Sequence, residues 1–417
     1  MLCDPWFSSA YEGAWVQWPK IENPLEVCGP ADYLYISHVH PDHYDPQFLK
    51  AYLARYPACR VLIAKQQPEL LWRKLMARGI VPIVGDVKAG GTYLATFPNH
   101  LGTGTDIDSA LLVRHDDQAV VNLNDNPYDE QQVANISTCL VGCKTTVACL
   151  PFVGAGPWPQ AYHFDTAAER FIAEARKKQL YLDLFKRYCE ALRPTVAVPF
   201  AGQYWLHGDK LDLNPRRGMA DATECKALYE RVWVPSDGGH STLNIERGDR
   251  IMEPGDTWWT SERKEPYDWP MVREALCRYD HPIFGSAATV HLPYRYECEI
   301  QVPIERLPLL KLLQSAVLKP FPSFRDKKTL HIYFQTSLPG WLHVITDSGN
   351  VEQCEQAVLH PRVEIKMDAR YLFGCLTRLY NWNSARIGSL ATFRHVPKEF
   401  NQELYDLMGD FLDSLRV

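Results

Sequence analysis

Apolar positions along this chain follow two periods, and the switches between them outline the fold. Short runs that alternate or are apolar throughout predict strands. They are Leu34-Tyr35-Ile36, RVLIA (60–64), VPIVGDV (81–87), GTYLATF (91–97), SALLV (109–113), AVVNLND (119–125) and TVAVPF (195–200). Between them, PELLWRKLMARG (68–79) has helical spacing, and residues 166–193 form a long helix without Gly or Pro. Residues 250–290 are rich in Pro, Trp and charge and read as a connection or cap. From about 288 the pattern changes. ECEIQVPI (297–304), LHIYFQT (330–336) and WLHVITD (341–347) predict strands of an antiparallel sheet, and 363–393 reads as strand, helix and Gly-containing strand.

This order predicts an α/β chain: a sandwich of two mainly β layers flanked by helices over 1–285, then a smaller α+β domain over 286–417. A length of 417 residues suits two domains. With 46% hydrophobic and 23% charged residues the chain has enough apolar surface to fold. A net charge of -6 argues against a nucleic-acid binder. No apolar run reaches the ~18–20 residues that span a bilayer, and no signal-peptide pattern opens the chain. The reading is cytoplasmic. Nothing in the pattern specifies an oligomeric state.

Twelve Cys and 14 His invite chemistry, and they separate. The cysteines have no CxxC spacing, and the nearest group, Cys139, Cys143 and Cys149, lies in an apolar stretch. They read as small buried hydrophobes. No C-x-H followed by C-x-x-H occurs, so no in-chain iron–sulfur cluster of Rieske type is expected. The histidines concentrate. ADYLYISHVHPDHYD (31–45) runs from a strand into a loop carrying His38, His40, Asp42 and His43. The i, i+2 spacing of His38 and His40 puts two imidazoles on one side of an extended segment, and Asp42 and His43 can turn to a second ion. His100 after GTYLATF suits a further ligand, Asp125 at a strand end a bridging carboxylate, and His207 the closure of the second site. A bridging carboxylate lets two cations sit roughly 3.5–4 Å apart. His163 reads as a pocket residue beside the metals. Gly154 and Gly156 would let a substrate approach the backbone, and Trp158, Tyr204 and Trp205 would wall off water. The basic run Arg176, Lys177 and Lys178 reads first as a solvated helix face, and second as a reach towards an anionic substrate.

H-x-H-x-D-H at a strand end, followed by a distant His, Asp and His, resembles the metallo-β-lactamase superfamily. LCDPW (with Asp4), ADYLYISHVHPDH, ARKK (175–178) and VPFAG (198–202) are similar to the lactamase-like part of CMP-N-acetylneuraminate hydroxylases over roughly residues 1–290. The C-terminal pattern resembles a sterol-carrier-protein-like domain. The first resemblance implies an αββα sandwich with two divalent metals on His38, His40, Asp42, His43, His100, Asp125 and His207. It also implies an O2-dependent oxygenase or oxidase with iron, acting on a small polar metabolite such as an N-acylated or nucleotide-linked sugar. Those hydroxylases carry a Rieske domain before this part, whereas this chain starts almost directly at LCDPW, so either a separate ferredoxin or reductase supplies electrons, or the substrate supplies all of them, or the chemistry is not oxidative. The alternative is a hydrolase of phosphodiesterase or lactonase type with two Zn or Mn ions. A third is a binding module that keeps its metal for structure, against which all seven candidate ligands count.

Overall fold

The computed structural model of the chain describes residues 1–15, 21, 23–100, 108–201, 204, 206, 208–232, 245–246, 250–251, 293–318, 321–324, 327–398 and 402–415. The first sheet is parallel throughout, with strands β1 (Leu2–Cys3), β2 (Tyr33–Ile36), β3 (Arg60–Ile63) and β4 (Ile83–Val84) in chain order. The second has six strands: β5 (Val87–Ala89), β6 (Thr92–Pro98), β7 (Ser109–His115), β8 (Gln118–Asn122), β9 (Thr145–Pro151) and β10 (Val196–Phe200). It is antiparallel from β5 to β8 and parallel from β8 to β10.

Alternation along each strand sends its side chains to two different cores. Tyr33, Tyr35 and Leu62 face the second sheet and pack with Leu94 and Leu111. Leu34, Ile36, Val61 and Ile63 face the other way, onto helices α1 (Pro24–Cys28), α2 (Pro46–Arg55) and α3 (Leu70–Met76). The outer face of the second sheet (Ala95, Ala110, Leu112, Val121, Ala148) is covered by α4 (Glu130–Thr138) and the long α5 (Ala167–Leu192). Helix, sheet, sheet, helix is the αββα sandwich the sequence predicts. Layering leaves the carboxyl ends of β1, β2, β8, β9 and β10 at one edge, where open α/β sheets place their ligands.

Beyond a two-stranded pairing of β11 (Ile245–Glu246) with β12 (Arg250–Ile251), the C-terminal part holds a third sheet. Its strands are β13 (His331–Gln335), β14 (Trp341–Ile345), β15 (Val351–Cys354), β16 (Arg362–Met367) and β17 (Ala391–Val396), in the order β15-β14-β13-β16-β17. Helices Leu309–Val317, Ala369–Leu376 and Gln402–Ser414 pack on it around Phe334, Leu372 and Phe411. This core reaches into the chain's beginning: Ala10, Tyr11, Ala14, Trp15, Tyr204 and Leu206 belong to the same apolar cluster. Residue 162 also bridges to Phe393 of β17.

Two sequence expectations need correction. VPIVGDV is not one strand: Gly85 takes φ +87°, a left-handed turn that sends β4 into the first sheet and β5 into the second. ECEIQVPI is not a strand either. The Tyr294 amide donates to the Glu297 carboxylate at 2.9 Å, the Glu297 amide donates back to the Tyr294 carbonyl, Arg295 pairs with Glu299 at 2.7 Å one turn on, and the helix Arg295–Glu299 results. The expected boundary at 285/286, and all of the expected cap but 250–251, lie outside the described residues. Among the cysteines, burial pushes the thiols of Cys149, Cys189 and Cys225 up to about 12, the behaviour of inert packing groups.

Candidate metal centre

The centre begins with two carboxylates that fix the loop. Asp4 leaves β1 at φ +42° and accepts hydrogen bonds from the Ser37 amide and hydroxyl, both at 2.7 Å. Asp45 caps α2 through the Gln47 and Phe48 amides, and its other oxygen accepts from the Phe7 and Ser8 amides at 3.1 and 3.0 Å. Between them the His43 and Tyr44 amides both donate to the His40 carbonyl, closing the loop on itself. Four polar side chains are thereby folded over the end of β2.

His38, His43 and Asp125 each direct one ligand atom into a group whose members lie within 4.8 Å of one another. His43 Nε2 is 3.4 Å from Asp125 Oδ2 and 3.5 Å from Asp42 Oδ2. His38 Nε2 and His40 Nδ1 are 2.8 Å apart. Each is held from behind. His43 Nδ1 meets Asp4 Oδ2 at 3.1 Å, and His38 Nδ1 meets the fully buried Asp108 at 3.2 Å. Tyr11 donates to Asp42 Oδ1 at 2.6 Å, and His40 Nε2 lies 3.0 Å from Asn383 Nδ2. An imidazole whose Nδ1–H is tied to a carboxylate presents its Nε2 lone pair, the arrangement that orients metal-binding histidines.

Electrostatics follow from this crowding. Burial pulls the His43 pKa down, but Asp125 and Asp42 outweigh it and hold it well above the ordinary value. Burial raises Asp125, and the imidazoles, His43 first, more than reverse this and hold it far below the carboxylate range. For His38, burial is likewise overcome by Asp108. One atom stays unsatisfied: Asp125 Oδ1 is buried with no hydrogen-bond partner. Three imidazoles, two carboxylates and an orphaned carboxylate oxygen fit divalent cations, whose charge would satisfy that oxygen.

The structure therefore brings together His38, His40, Asp42, His43 and Asp125. His100 does not join them; it is exposed at the end of β6. His163 does not either: it is exposed, its Nε2 pairs with Asp165 at 3.3 Å, and its amide donates to Phe393. Gly154 is buried because a Cβ there would lie 2.0 Å from the Tyr181 ring and hydroxyl, so its need is packing, while Gly156 has open space. Trp158 is partly exposed, at 37%. Tyr204 is buried, stacks on Trp15 with ring centroids 4.0 Å apart, and lines a cavity of about 190 Å³ with Asp42, His43 and Asp125. Trp205 and His207 lie outside the described residues. Sequence reasoning did not assign Asp108, Tyr11 or Asn383 to the centre, and Asp4 entered only through the DPW resemblance. Asp108 had one usable signal, an acidic residue directly before a strand; Asn383, far along the chain, had none.

No protein-family model matches the chain. Over 230 residues it is 27% identical to a Mycolicibacterium smegmatis protein named for a Rieske 2Fe-2S iron–sulfur protein, covering 52% of this chain and 43% of that one. It is 24% identical over 305 residues to the human inactive cytidine monophosphate-N-acetylneuraminic acid hydroxylase, covering 66% and 58%. The chain thus spans about half the length of the curated relatives it matches. The metallo-β-lactamase fold protein YhfI from Bacillus subtilis overlaps 49% of this chain and 73% of its own, at 13% identity and a TM-score of 0.31. Layer order, not that overlap, carries the fold. None of these relatives is a sterol-carrier protein, and that likeness gains no support from them.

Proposed function

We propose that the chain is a dinuclear-metal, O2-dependent oxygenase or oxidase acting on a small polar metabolite, with His38, His40, Asp42, His43 and Asp125 as ligands and His100 and His207 as further candidates. The observation that carries this reading is the convergence of carboxylate-backed imidazoles on buried Asp125, whose Oδ1 has no hydrogen-bond partner. Iron held there would supply an O2-binding, redox-active group, whereas zinc or manganese would supply a Lewis acid and an activated water. Asp4 and Asp108 orient two imidazoles, Tyr11 holds Asp42 through its hydroxyl, and Tyr204 stacked on Trp15 keeps water from one side. Oxidation is favoured over hydrolysis by the hydroxylase among the relatives. A separate ferredoxin or reductase is the partner that goes with the oxygenase form of this reading; an oxidase would draw its electrons from the substrate. The division into a metal-binding part over 1–285 and an α+β part over 286–417 belongs to the same proposal.

Metal analysis of protein purified without oxygen, followed by O2 uptake with a reductant, tests it. Two irons per chain and reductant-dependent uptake are expected. Zinc or manganese with turnover of a phosphodiester or lactone under nitrogen would replace it by the hydrolase. His38→Ala and Asp125→Ala should each lose metal and activity together; retention of both at wild-type levels would remove the ligand assignment.

A further inference from the structure

The cluster borders two cavities of very different size. The one lined by Asp42, His43 and Asp125 holds about 190 Å³. The other, of about 1010 Å³, is a cleft between the sandwich and the C-terminal part, and His40 and Tyr11 line it. Pockets for metabolite-sized ligands run from about 300 to 1,000 Å³, so only the cleft accommodates a ring together with a charged group. Its walls come from both ends of the chain. Asn383, whose amide meets His40 at 3.0 Å, lines it too, so the cleft reaches a candidate ligand directly.

Charge on these walls is unbalanced. Each acid lining the cleft already has a basic partner. Glu299 pairs with Arg295 at 2.7 Å, Glu12 with the same guanidinium at 3.4 Å, and Asp413 with Arg386 at 3.1 Å. Lys74, Arg78 and Arg378 also line it, and among the described residues no carboxylate lies within ion-pair distance of any of them. Lys74 and Arg78 are gathered over one face, 5.9 and 5.6 Å from the centroid of the Tyr44 ring. In a chain of net charge -6, three cations with no counter-ion among the described residues, around one opening, attract an anion and focus it on the cleft.

We propose that this cleft is the substrate site and that it takes an anionic metabolite, bearing a phosphate or carboxylate group that Lys74, Arg78 and Arg378 grip while its reacting end faces His40. The proposal rests on the reading of the cluster as the catalytic centre only for that orientation; anion binding is independent of it.

The test is calorimetric titration of the full chain, metal-loaded and metal-stripped, with cytidine 5′-monophosphate and with glucuronate. Neutral cytidine and glucose serve as controls. At least one anion should bind both forms, and the better of the two tells phosphate from carboxylate. Arg78→Glu combined with Arg378→Glu should weaken that binding tenfold or more and leave metal content unchanged. Lys186→Glu, on the exposed face of α5, should leave binding unchanged. If the double variant does not fold, Arg78→Gln and Arg378→Gln singly should each weaken binding at least threefold. Failure of both anions to bind, equal binding of the neutral controls, or loss on metal removal with undiminished binding in the charge variants would overturn the proposal. Failure to load metal would count against the catalytic reading and leave the metal-stripped titration intact.

Discussion

Lys177 is the residue whose surroundings differ most from what its sequence neighbours suggest. The run Arg176, Lys177 and Lys178 reads as a solvated face, yet Lys177 is buried, with Nζ donating to the Gly156 carbonyl at 3.1 Å. Burial, with a contribution from Arg217, lowers its pKa to about 7. The unfolded amine keeps its proton up to about pH 10.4, so between these values unfolding takes up a proton and stability rises with pH. Below pH 7 the folded chain carries the whole cost of the buried charge. Lys177→Met should therefore raise Tm at pH 7, and the gap from wild type should close as pH climbs towards 10. A gap of constant size across that range would show that the charge is not what the substitution removes. The side chains of the centre teach the opposite lesson: His38, His40, Asp42 and His43 were legible as a group because their spacing is local. Asp108 and Asn383 were not, since side chains that meet only after folding leave no spacing to read.

At the scale of elements, the most consequential connection is the start of α2. Asp45 joins the helix amides of Gln47 and Phe48 to the chain entering from Phe7 and Ser8, so one carboxylate sets both the cap and the path of the N-terminal segment. Asp45→Ala should cost about 1–2 kcal/mol for the cap alone, read from the denaturant midpoint, and more because two further amides lose their acceptor. A loss under 0.5 kcal/mol, to order of magnitude, would mean that water replaces the carboxylate at both sites. Strands were largely legible as elements: RVLIA, SALLV, TVAVPF, LHIYFQT and WLHVITD all contain strands of the structure. The misses share a physical cause. In VPIVGDV a single left-handed glycine divides one apolar run between two sheets, and in ECEIQVPI an ion pair and the Glu297 carboxylate on the first amide outweigh alternation.

Across the whole molecule, the C-terminal sheet and the first residues of the chain share one apolar core, in which Tyr11 and Trp15 lie with Phe334, Trp382 and Leu412. Residues 10–15 lie between β1 and β2 of the sandwich, yet the side chains of Ala10, Tyr11, Ala14 and Trp15 pack in the core of the C-terminal sheet. Heating should give one calorimetric transition for both parts, since unfolding of either would expose the cluster they share. Two resolved transitions would show that the shared cluster is too weak to couple them. No helix among the described residues is long and apolar enough to cross a membrane.

Contact between Asn383 and His40 spans 343 positions of the chain. At about 5–20 residues per second of synthesis, roughly 20–70 s separate the emergence of these two residues from the ribosome. During that interval the histidine loop is already made, while the surface around Tyr11 and Trp15 has Tyr204 against it but not yet the C-terminal part of its cover. The nascent chain presents part of that apolar surface throughout the interval, and the centre receives the support of Asn383 only once residue 383 has emerged.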